Sequence, residues 1–204
     1  MYKKIIVFEG VDGTGKSYHI NQVAKFLKSK KIKFIKFREP GGSSNSEIIR
    51  KIILKNNSSL SKESDLLLYL AARKENYDKL IKPNLKKKII LIDRFVDSTI
   101  AYQHYGMGVD YKMIDLLNNF LIKKIRINLT FLNTVNTKNL QLRLSKRKYL
   151  NRYDKLKFKL YQKIQKGYIE ISKKKKNKYV IIDSNKPILV NKMKIIDEVN
   201  KILK

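Results

Sequence analysis

Residues 5–17 read Ile5-Ile6-Val7-Phe8-Glu9-Gly10-Val11-Asp12-Gly13-Thr14-Gly15-Lys16-Ser17. Residues 10–17 match the pattern G-x-x-x-x-G-K-[ST], whose glycines turn the chain between a strand and a helix. The apolar run before Gly10 predicts that strand, and the segment from Lys16 onward predicts the helix. The backbone amides of such a loop and the N-terminus of its helix attract phosphate. Every residue of 10–17 is therefore a candidate for binding a nucleoside triphosphate.

Side chains at two places complete the predicted phosphate site. Lys16 should reach the β- and γ-phosphates of the nucleotide, and the Ser17 hydroxyl should ligate Mg²⁺. The apolar run at residues 89–92 ends in Asp93 and Arg94. In phosphate-loop proteins a carboxylate at this place holds Mg²⁺, and a guanidinium there suits bidentate contact with phosphate. The predicted metal ligands are therefore Ser17 and Asp93, with Arg94 in the same crevice.

Short apolar runs alternate with longer segments of helical character along the chain. Strands are predicted at residues 4–8, 33–37, 89–92, 129–132 and 179–182, and helices at 16–30, 46–55, 62–81, 111–124, 137–147, 155–173 and 189–203. The strands are almost continuously apolar, as in parallel sheets that are covered on both faces. We therefore expect an α/β fold, a five-stranded parallel sheet surrounded by helices, forming one domain over residues 1–204.

The composition limits the possible chemistry. The 204 residues include no cysteine and only 2 histidines, which excludes disulfides, thiolate metal sites and a cysteine nucleophile. No apolar run approaches the roughly 20 residues that cross a bilayer. The N-terminal apolar run is too short for a signal peptide, so export is not expected.

The charge is strongly basic, with 47 Lys and Arg against 17 Asp and Glu and a formal net charge of +30. This charge favours anionic partners, either nucleic acid or small anions such as nucleotides. The basic residues are spread along most of the chain and accompany abundant isoleucine and asparagine, as A/T-rich coding DNA would produce. No RNP signature, zinc-finger spacing or clear helix-turn-helix supplies a docking geometry, so a specific nucleic-acid partner is not expected.

Four motifs, in order along the chain, resemble the bacterial type of the thymidylate kinase family. They are the segment 8–17, then Arg38-Glu39-Pro40-Gly41-Gly42, Tyr69-Leu70-Ala71-Ala72-Arg73, and Asp93-Arg94-Phe95 with Ser98 and Ala101-Tyr102-Gln103. The resemblance covers nearly the whole chain and implies the P-loop nucleoside-monophosphate kinase fold. It implies direct in-line transfer of phosphate from Mg-ATP to dTMP, which gives dTDP for dTTP and DNA synthesis. It also implies a cytoplasmic homodimer.

The resemblance assigns roles around the phosphate and the sugar of dTMP. Asp12 would accept a hydrogen bond from the 3′-hydroxyl of the deoxyribose. Arg38 and Arg94 would bind the acceptor phosphate and neutralise charge as the two anions are brought together, and Arg94 and Lys16 are predicted to be catalytic. Tyr102 would crowd the 2′ position of the sugar and so select deoxyribose.

Other residues would surround the thymine ring. Arg73 would donate to a thymine carbonyl, and Tyr69 would stack on the face of the ring. Ser98 would contact the edge of the base, and Gln103 would contact the base or the sugar. Tyr69 stands where the family commonly has phenylalanine, so its hydroxyl needs a partner.

Residues 143–154 lie in a strongly basic stretch and resemble the lid of the family. A lid would cover the phosphates and exclude water during transfer. The bacterial form places a catalytic arginine in the lid when the phosphate loop lacks one, and Arg152 best matches that position. Arg143 and Arg147 are further candidates for phosphate contact. The family's lid usually reads Asp-Arg-x-Glu, whereas this chain has Asn151-Arg152-Tyr153-Asp154.

Two alternatives stay open. A kinase for another nucleoside monophosphate or for a deoxynucleoside would share the phosphate loop, although the motif at 38–42 and Arg73, Ser98 and Tyr102 argue against it. A nucleic-acid-binding ATPase with a phosphate loop would account for the charge. It predicts ATP hydrolysis that DNA stimulates, and an affinity for DNA that falls steeply with salt.

Overall fold

A sheet of five parallel strands forms the centre of the molecule. The computed structural model describes residues 4–122, 125–146, 153, 158–175 and 179–203. The strands are β1 (Ile5–Glu9), β2 (Phe34–Arg38), β3 (Ile89–Asp93), β4 (Leu129–Thr134) and β5 (Tyr179–Asp183). Their spatial order is β2-β3-β1-β4-β5. The predicted α/β fold with a five-stranded parallel sheet is confirmed, and each predicted strand overlaps an observed one.

The central strand β1 has a parallel neighbour on each side. Ile5 pairs with Ile90 of β3, and Ile6 pairs with Leu129 of β4. The whole of β1 is buried, which accounts for its uninterrupted apolar run. The register sets Phe8 beside Asp93. The polar residues that end β1 and β3 therefore meet at one edge of the sheet.

Helices cover both faces of the sheet. They are α1 (Lys16–Ser29), α2 (Ser44–Leu54), α3 (Lys62–Asn76), α4 (Val96–Thr99), α5 (Tyr111–Ile122), α6 (Thr137–Ser145), α7 (Phe158–Lys174) and α8 (Ile188–Leu203). On one face, Val23 of α1 and Val199 of α8 share an apolar cluster with Phe131. On the other face, Val7 shares a cluster with Ile122 of α5. Among the described residues, no helix is both long and apolar enough to span a membrane.

A helical segment that the sequence pattern did not predict follows β3. It consists of α4 and a π-helical turn at Ile100–Gly106. β-Branched Val96 and Ile100 have a low helix propensity, and polar Ser98 and Gln103 interrupt the apolar periodicity. Ser98, Thr99 and Gln103 of this segment line the site at the sheet edge, so the usual core-facing pattern is absent.

The helix predicted at residues 62–81 has a composite structure. α3 continues as a π-helical turn at Tyr77–Ile81 and a 3₁₀ turn at Lys82–Asn84, which contains Pro83. The chain leaves the helix there because proline lacks a backbone N–H. The ends of the helices predicted at 111–124 and 137–147, and the start of that at 155–173, lie outside the described residues.

Candidate active site

The loop between β1 and α1 has the backbone conformation that its glycines permit. Gly10, Gly13 and Gly15 all have positive φ, at 131°, 78° and 86°. A Cβ on Gly10 would lie 2.3 Å from the backbone oxygen of Asn133, so only glycine fits. The Thr14 hydroxyl donates to the Val11 carbonyl at 2.8 Å and closes the turn.

Lys16 is held inside this loop. Its Nζ donates to the Val11 carbonyl oxygen at 2.9 Å, and the side chain is buried. Burial, together with the nearby positive charge of Arg94, lowers the pKa of Lys16 to about 8, although Asp93 and Asp12 oppose the shift. An anion at the loop would restore the charged form, so the site favours phosphate.

Ser17 and Asp93, the two predicted metal ligands, are in contact with each other. The Ser17 hydroxyl donates to Asp93 Oδ2 at 3.3 Å. The other carboxylate oxygen, Oδ1, is buried and has no hydrogen-bond partner in the part of the chain that the structure describes. No cluster of three or more His, Cys, Asp and Glu that could hold a metal occurs within the described ranges. One hydroxyl and one carboxylate fit Mg²⁺, which keeps several waters and takes further oxygens from phosphates.

Arg94 lies between the loop and the rest of the site. It has φ of 69°, in the left-handed region. Its Nη2 is 3.0 Å from Asp12 Oδ1, and its guanidinium lies 5.1 Å from the centre of the Tyr102 ring. Burial alone would lower the pKa of Arg94, but Asp12, Tyr102 and Tyr168 raise it well above the ordinary value. Arg94 is therefore a permanent cation in a partly enclosed place.

A cavity opens next to Arg94 and collects most of the predicted substrate residues. The predicted residues that line it are Asp12, Tyr69, Arg73, Arg94, Ser98, Tyr102 and Gln103. The Tyr102 hydroxyl donates to Asp12 Oδ2 at 3.0 Å. Nε2 of Gln103 is buried and has no hydrogen-bond partner among the described residues. Aromatic rings and paired charges suit a flat base with an anionic group.

The guanidinium of Arg73 donates four hydrogen bonds. Its Nε donates to Glu39 Oε2 at 2.8 Å, and both side chains are almost fully buried. Its other nitrogens donate to Asn118 Oδ1 at 2.7 Å, to the Thr99 hydroxyl at 2.9 Å and to the Phe95 carbonyl at 3.0 Å. Burial raises the pKa of Glu39, and Arg73 opposes that shift. Arg73 therefore ties α3 to three other parts of the cavity wall.

Arg38 does not line the cavity, and Arg50 does. Arg38 donates to Glu47 at 3.0 Å and its side chain is half exposed. Arg50, on α2, donates to the Pro40 carbonyl at 2.7 Å and borders the cavity. The sequence analysis missed Arg50 because its orientation depends on this contact with the turn at Pro40.

Ser98 lines the cavity, but its hydroxyl proton is already used. Its hydroxyl donates to the carboxylate of Glu9, the last residue of β1. Burial and the nearby Asp97 raise the pKa of Glu9 to about 7, although hydrogen bonds from Ser98 and Phe95 oppose the shift. The sequence analysis missed Glu9 too, although a charged residue that ends an apolar strand is a usable signal.

The predicted lid is described only in part. Arg143 of α6 donates to the Gly13 carbonyl at 3.1 Å and to the Ser184 carbonyl at 2.7 Å, so it lies against the phosphate loop. Tyr153 lines the cavity, and its hydroxyl donates to Asp65 of α3. Four residues named in the sequence analysis lie outside the described ranges: Arg147, Asn151, Arg152 and Asp154.

Known proteins resemble this chain over almost its full length. Residues 8–195 match the Thymidylate kinase family. The thymidylate kinase of Thermosipho africanus is 40% identical over 184 residues, which cover 90% of each chain. That of a Sulfurihydrogenibium species is 34% identical over 198 residues and 96% of each chain.

A solved structure agrees with these relatives. The crystal structure of thymidylate kinase from Ehrlichia chaffeensis aligns with a TM-score of 0.80 and 31% identity, over 97% of this chain and 98% of that one. The family resemblance carried by the four sequence motifs is thereby confirmed. By its sequence, its relatives and its fold, this chain belongs to the thymidylate kinase family.

Proposed function

We propose that the protein transfers the γ-phosphoryl group of ATP to dTMP, forming ADP and dTDP for the supply of dTTP. A phosphate oxygen of dTMP attacks the γ-phosphorus in line with the departing oxygen of ADP, so one P–O bond forms as another breaks. The ion pair between Asp12 and Arg94, at 3.0 Å, carries the proposal. Asp12 belongs to the phosphate loop and Arg94 borders the cavity, so the pair joins the donor and acceptor sites.

On the donor side, the amides of residues 10–17 and the N-terminus of α1 bind the phosphates of ATP. Lys16 binds the β- and γ-phosphates and keeps its proton once an anion is present. Arg143 supports the loop through the carbonyl of Gly13. Ser17 and Asp93 would hold Mg²⁺, which supplies charge neutralisation at the phosphates.

On the acceptor side, Arg94 and Arg50 bind the phosphate of dTMP, because both guanidiniums border the cavity. Arg38 would join them only after its side chain leaves Glu47. Positive groups between two anionic phosphates do the main work in such a transfer, since the substrates repel each other.

The nucleoside of dTMP fits the remaining walls. Tyr69 stacks on the thymine face, while Arg73 and Gln103 donate to its carbonyl oxygens. Asp12 accepts from the 3′-hydroxyl, and Tyr102, bound to Asp12, crowds the 2′ position. Ser98 acts at the base edge only indirectly, because its hydroxyl donates to Glu9.

Residues 143–154 act as a lid within one catalytic domain, and Arg152 contacts the transferring phosphoryl group. Arg143, at the start of this segment, contacts the donor loop, and Tyr153, near its end, lies in the wall of the acceptor cavity. A segment that reaches both sites can close over them together and exclude water.

The working form is a cytoplasmic homodimer. α2 packs against α3, and α3 packs against α5. Large apolar side chains on these three helices are exposed, namely Ile48, Ile52, Leu67, Leu116 and Phe120. Exposed apolar residues on adjacent helices favour association, and a second copy of the chain offers the same surface. Sedimentation of Phe120→Glu should show a monomer, while the wild type should show a dimer.

Release of ADP from Mg-ATP tests the proposed reaction. dTMP, dUMP, CMP, AMP, GMP and single-stranded DNA are offered separately, and chromatography identifies the products. We expect fast ADP release with dTMP and an equal amount of dTDP. ADP release stimulated by DNA alone would instead support a nucleic-acid-dependent ATPase, for which the net charge of +30 is the supporting observation.

A further inference from the structure

Glu9 is a buried carboxylate with no role in the proposed reaction so far. It is inaccessible to solvent at the carboxyl end of β1. Oε1 accepts from the backbone N–H of Phe95 at 2.8 Å and from that of Ser98 at 3.3 Å. Oε2 accepts from the Ser98 hydroxyl. Both oxygens of the carboxylate are therefore used as acceptors.

Tyr168 of α7 connects this carboxylate to Arg94. Its hydroxyl oxygen lies 2.7 Å from Ser98 Oγ, and Arg94 Nη1 donates to the same oxygen at 3.1 Å. Arg94 Nη1 also lies 3.4 Å from Ser98 Oγ. Tyr168 is fully buried, and burial raises its pKa well above the ordinary value, so the phenol keeps its proton.

The direction of these hydrogen bonds follows from the charge of Glu9. At pH 8, above its pKa of about 7, Glu9 is an ionised carboxylate that only accepts, so the single proton of Ser98 Oγ points to Glu9. Tyr168 must then donate to Ser98, which leaves its lone pairs for the guanidinium of Arg94. The chain of donors thus runs from Arg94 through Tyr168 and Ser98 to Glu9, with every proton pointing the same way.

Arg94 needs such support because its position is costly. It has a left-handed backbone, which is strained for a residue with a side chain, and its guanidinium is largely buried. Asp12 balances one side of the guanidinium, and Tyr168 with Ser98 holds the other. A small misplacement of a group that stabilises charge can reduce turnover about a hundred-fold.

We propose that Glu9 and Tyr168 are positioning residues that hold Arg94 in its catalytic geometry by fixing the direction of this hydrogen-bond chain. The inference rests on the proposed phosphoryl transfer, in which Arg94 binds the acceptor phosphate. In Glu9→Gln the side chain has only one acceptor oxygen. Either orientation of its amide therefore directs an N–H at a group that donates to Glu9 in the wild type. The Ser98 and Tyr168 protons then reverse, and one of them points at Arg94. Tyr168→Phe removes the link altogether.

The test compares Glu9→Gln, Tyr168→Phe and the double variant with the wild type. The control is Ser172→Ala, which removes a buried hydroxyl of α7 that donates only to its own helix, at Ile169. Each single variant should lower kcat/KM for the monophosphate by roughly ten- to a hundred-fold, as expected for a lost hydrogen bond to a charged group. KM for ATP should stay within about two-fold, and the control should match the wild type within about two-fold.

The double variant is decisive because both changes act on one chain. The kcat/KM of the double variant should lie within about three-fold of that of the less active single variant. Losses that multiply, or single variants that keep the wild-type kcat/KM, would overturn the proposal. Melting temperatures separate the two roles, since a purely structural role lowers stability and leaves turnover per folded molecule unchanged. If Glu9→Gln does not fold, Tyr168→Phe alone carries the test.

The comparison uses whichever nucleoside monophosphate the wild type phosphorylates best. A wild type that prefers another monophosphate to dTMP refutes the proposed substrate. The variant-to-wild-type ratio still tests the role of Glu9 and Tyr168, because Arg94 faces the phosphate that all these substrates share.

Discussion

Removing Arg73 should destabilise the protein strongly, beyond any effect on substrate binding. Arg73→Ala deletes the cation of a pair with Glu39 at 2.8 Å, in which the side chains are 2% and 4% exposed. It also leaves Asn118 and Thr99 without the donor that joins them to α3. Breaking a buried pair costs about 3–5 kcal/mol, because one charge stays buried without compensation.

For a chain of this length, such a loss lowers Tm by roughly 6–20 °C. Lys74→Ala is the matched control. Lys74 is the next residue on the same helix, and its ion pair has the same N–O distance as that of Arg73. Lys74 lies 2.8 Å from Asp78, but the two side chains are 42% and 40% exposed. An exposed pair is screened by solvent and contributes little to stability, so the control should shift Tm by no more than about 2 °C.

The loss should also depend on pH. Burial raises the pKa of Glu39 above its ordinary value of 4.5, and Arg73 opposes this shift. Without Arg73 the pKa of Glu39 rises further, so the folded state binds a proton that the unfolded state releases. Stability then falls as pH increases above the unfolded pKa. The difference between Arg73→Ala and the wild type should therefore be larger at pH 8 than at pH 5.

Thermal unfolding followed by circular dichroism at pH 5 and pH 8 measures both effects. Adding Glu39→Gln to Arg73→Ala should recover part of the loss at pH 8, because the buried group is then neutral. A loss no greater than that of Lys74→Ala, or one that is equal at both pH values, would refute the argument from the buried charge.

Three further predictions concern the loop and the metal site. Lys16→Ala should abolish phosphoryl transfer while Tm stays close to that of the wild type; measurable turnover would contradict the role of the loop. Gly10→Ala should lower stability by more than about 1 kcal/mol, since its Cβ would lie 2.3 Å from the Asn133 oxygen; denaturant unfolding measures this. Asp93→Asn should raise the half-saturating Mg²⁺ concentration by roughly ten-fold or more, which corresponds to about 1.4 kcal/mol. An unchanged magnesium titration would remove Asp93 from the metal site.

The sheet and the donor loop could be predicted because their signals are local. The inner strands β1, β3 and β4 are almost entirely buried, and the edge strands β2 and β5 are partly buried. Each of the five is visible as a largely apolar run of strand length. The loop at 10–17 needs glycines at fixed positions, and the structure gives Gly10, Gly13 and Gly15 positive φ. The meeting of Ser17 with Asp93 follows from the shared edge of parallel strands.

The acceptor side was less predictable because its contacts depend on tertiary structure. Arg38 was the predicted phosphate ligand, but it pairs with Glu47, and Arg50 borders the cavity instead because it contacts the turn at Pro40. The helix after β3 lacks an apolar pattern because Ser98, Thr99 and Gln103 line the cavity. Tyr168 is some 70 residues from Ser98, and only the packing of α7 brings them together.

Asp12 is a residue of both the donor site and the acceptor site. One carboxylate on the donor loop contacts both the guanidinium of Arg94 and the phenol of Tyr102 in the acceptor cavity. A displacement of the loop by bound ATP therefore alters the free energy of dTMP binding. Thermodynamic reciprocity requires dTMP to change the affinity for ATP by the same factor. The occupancy of each site then depends on the concentrations of both substrates, whichever of them binds first.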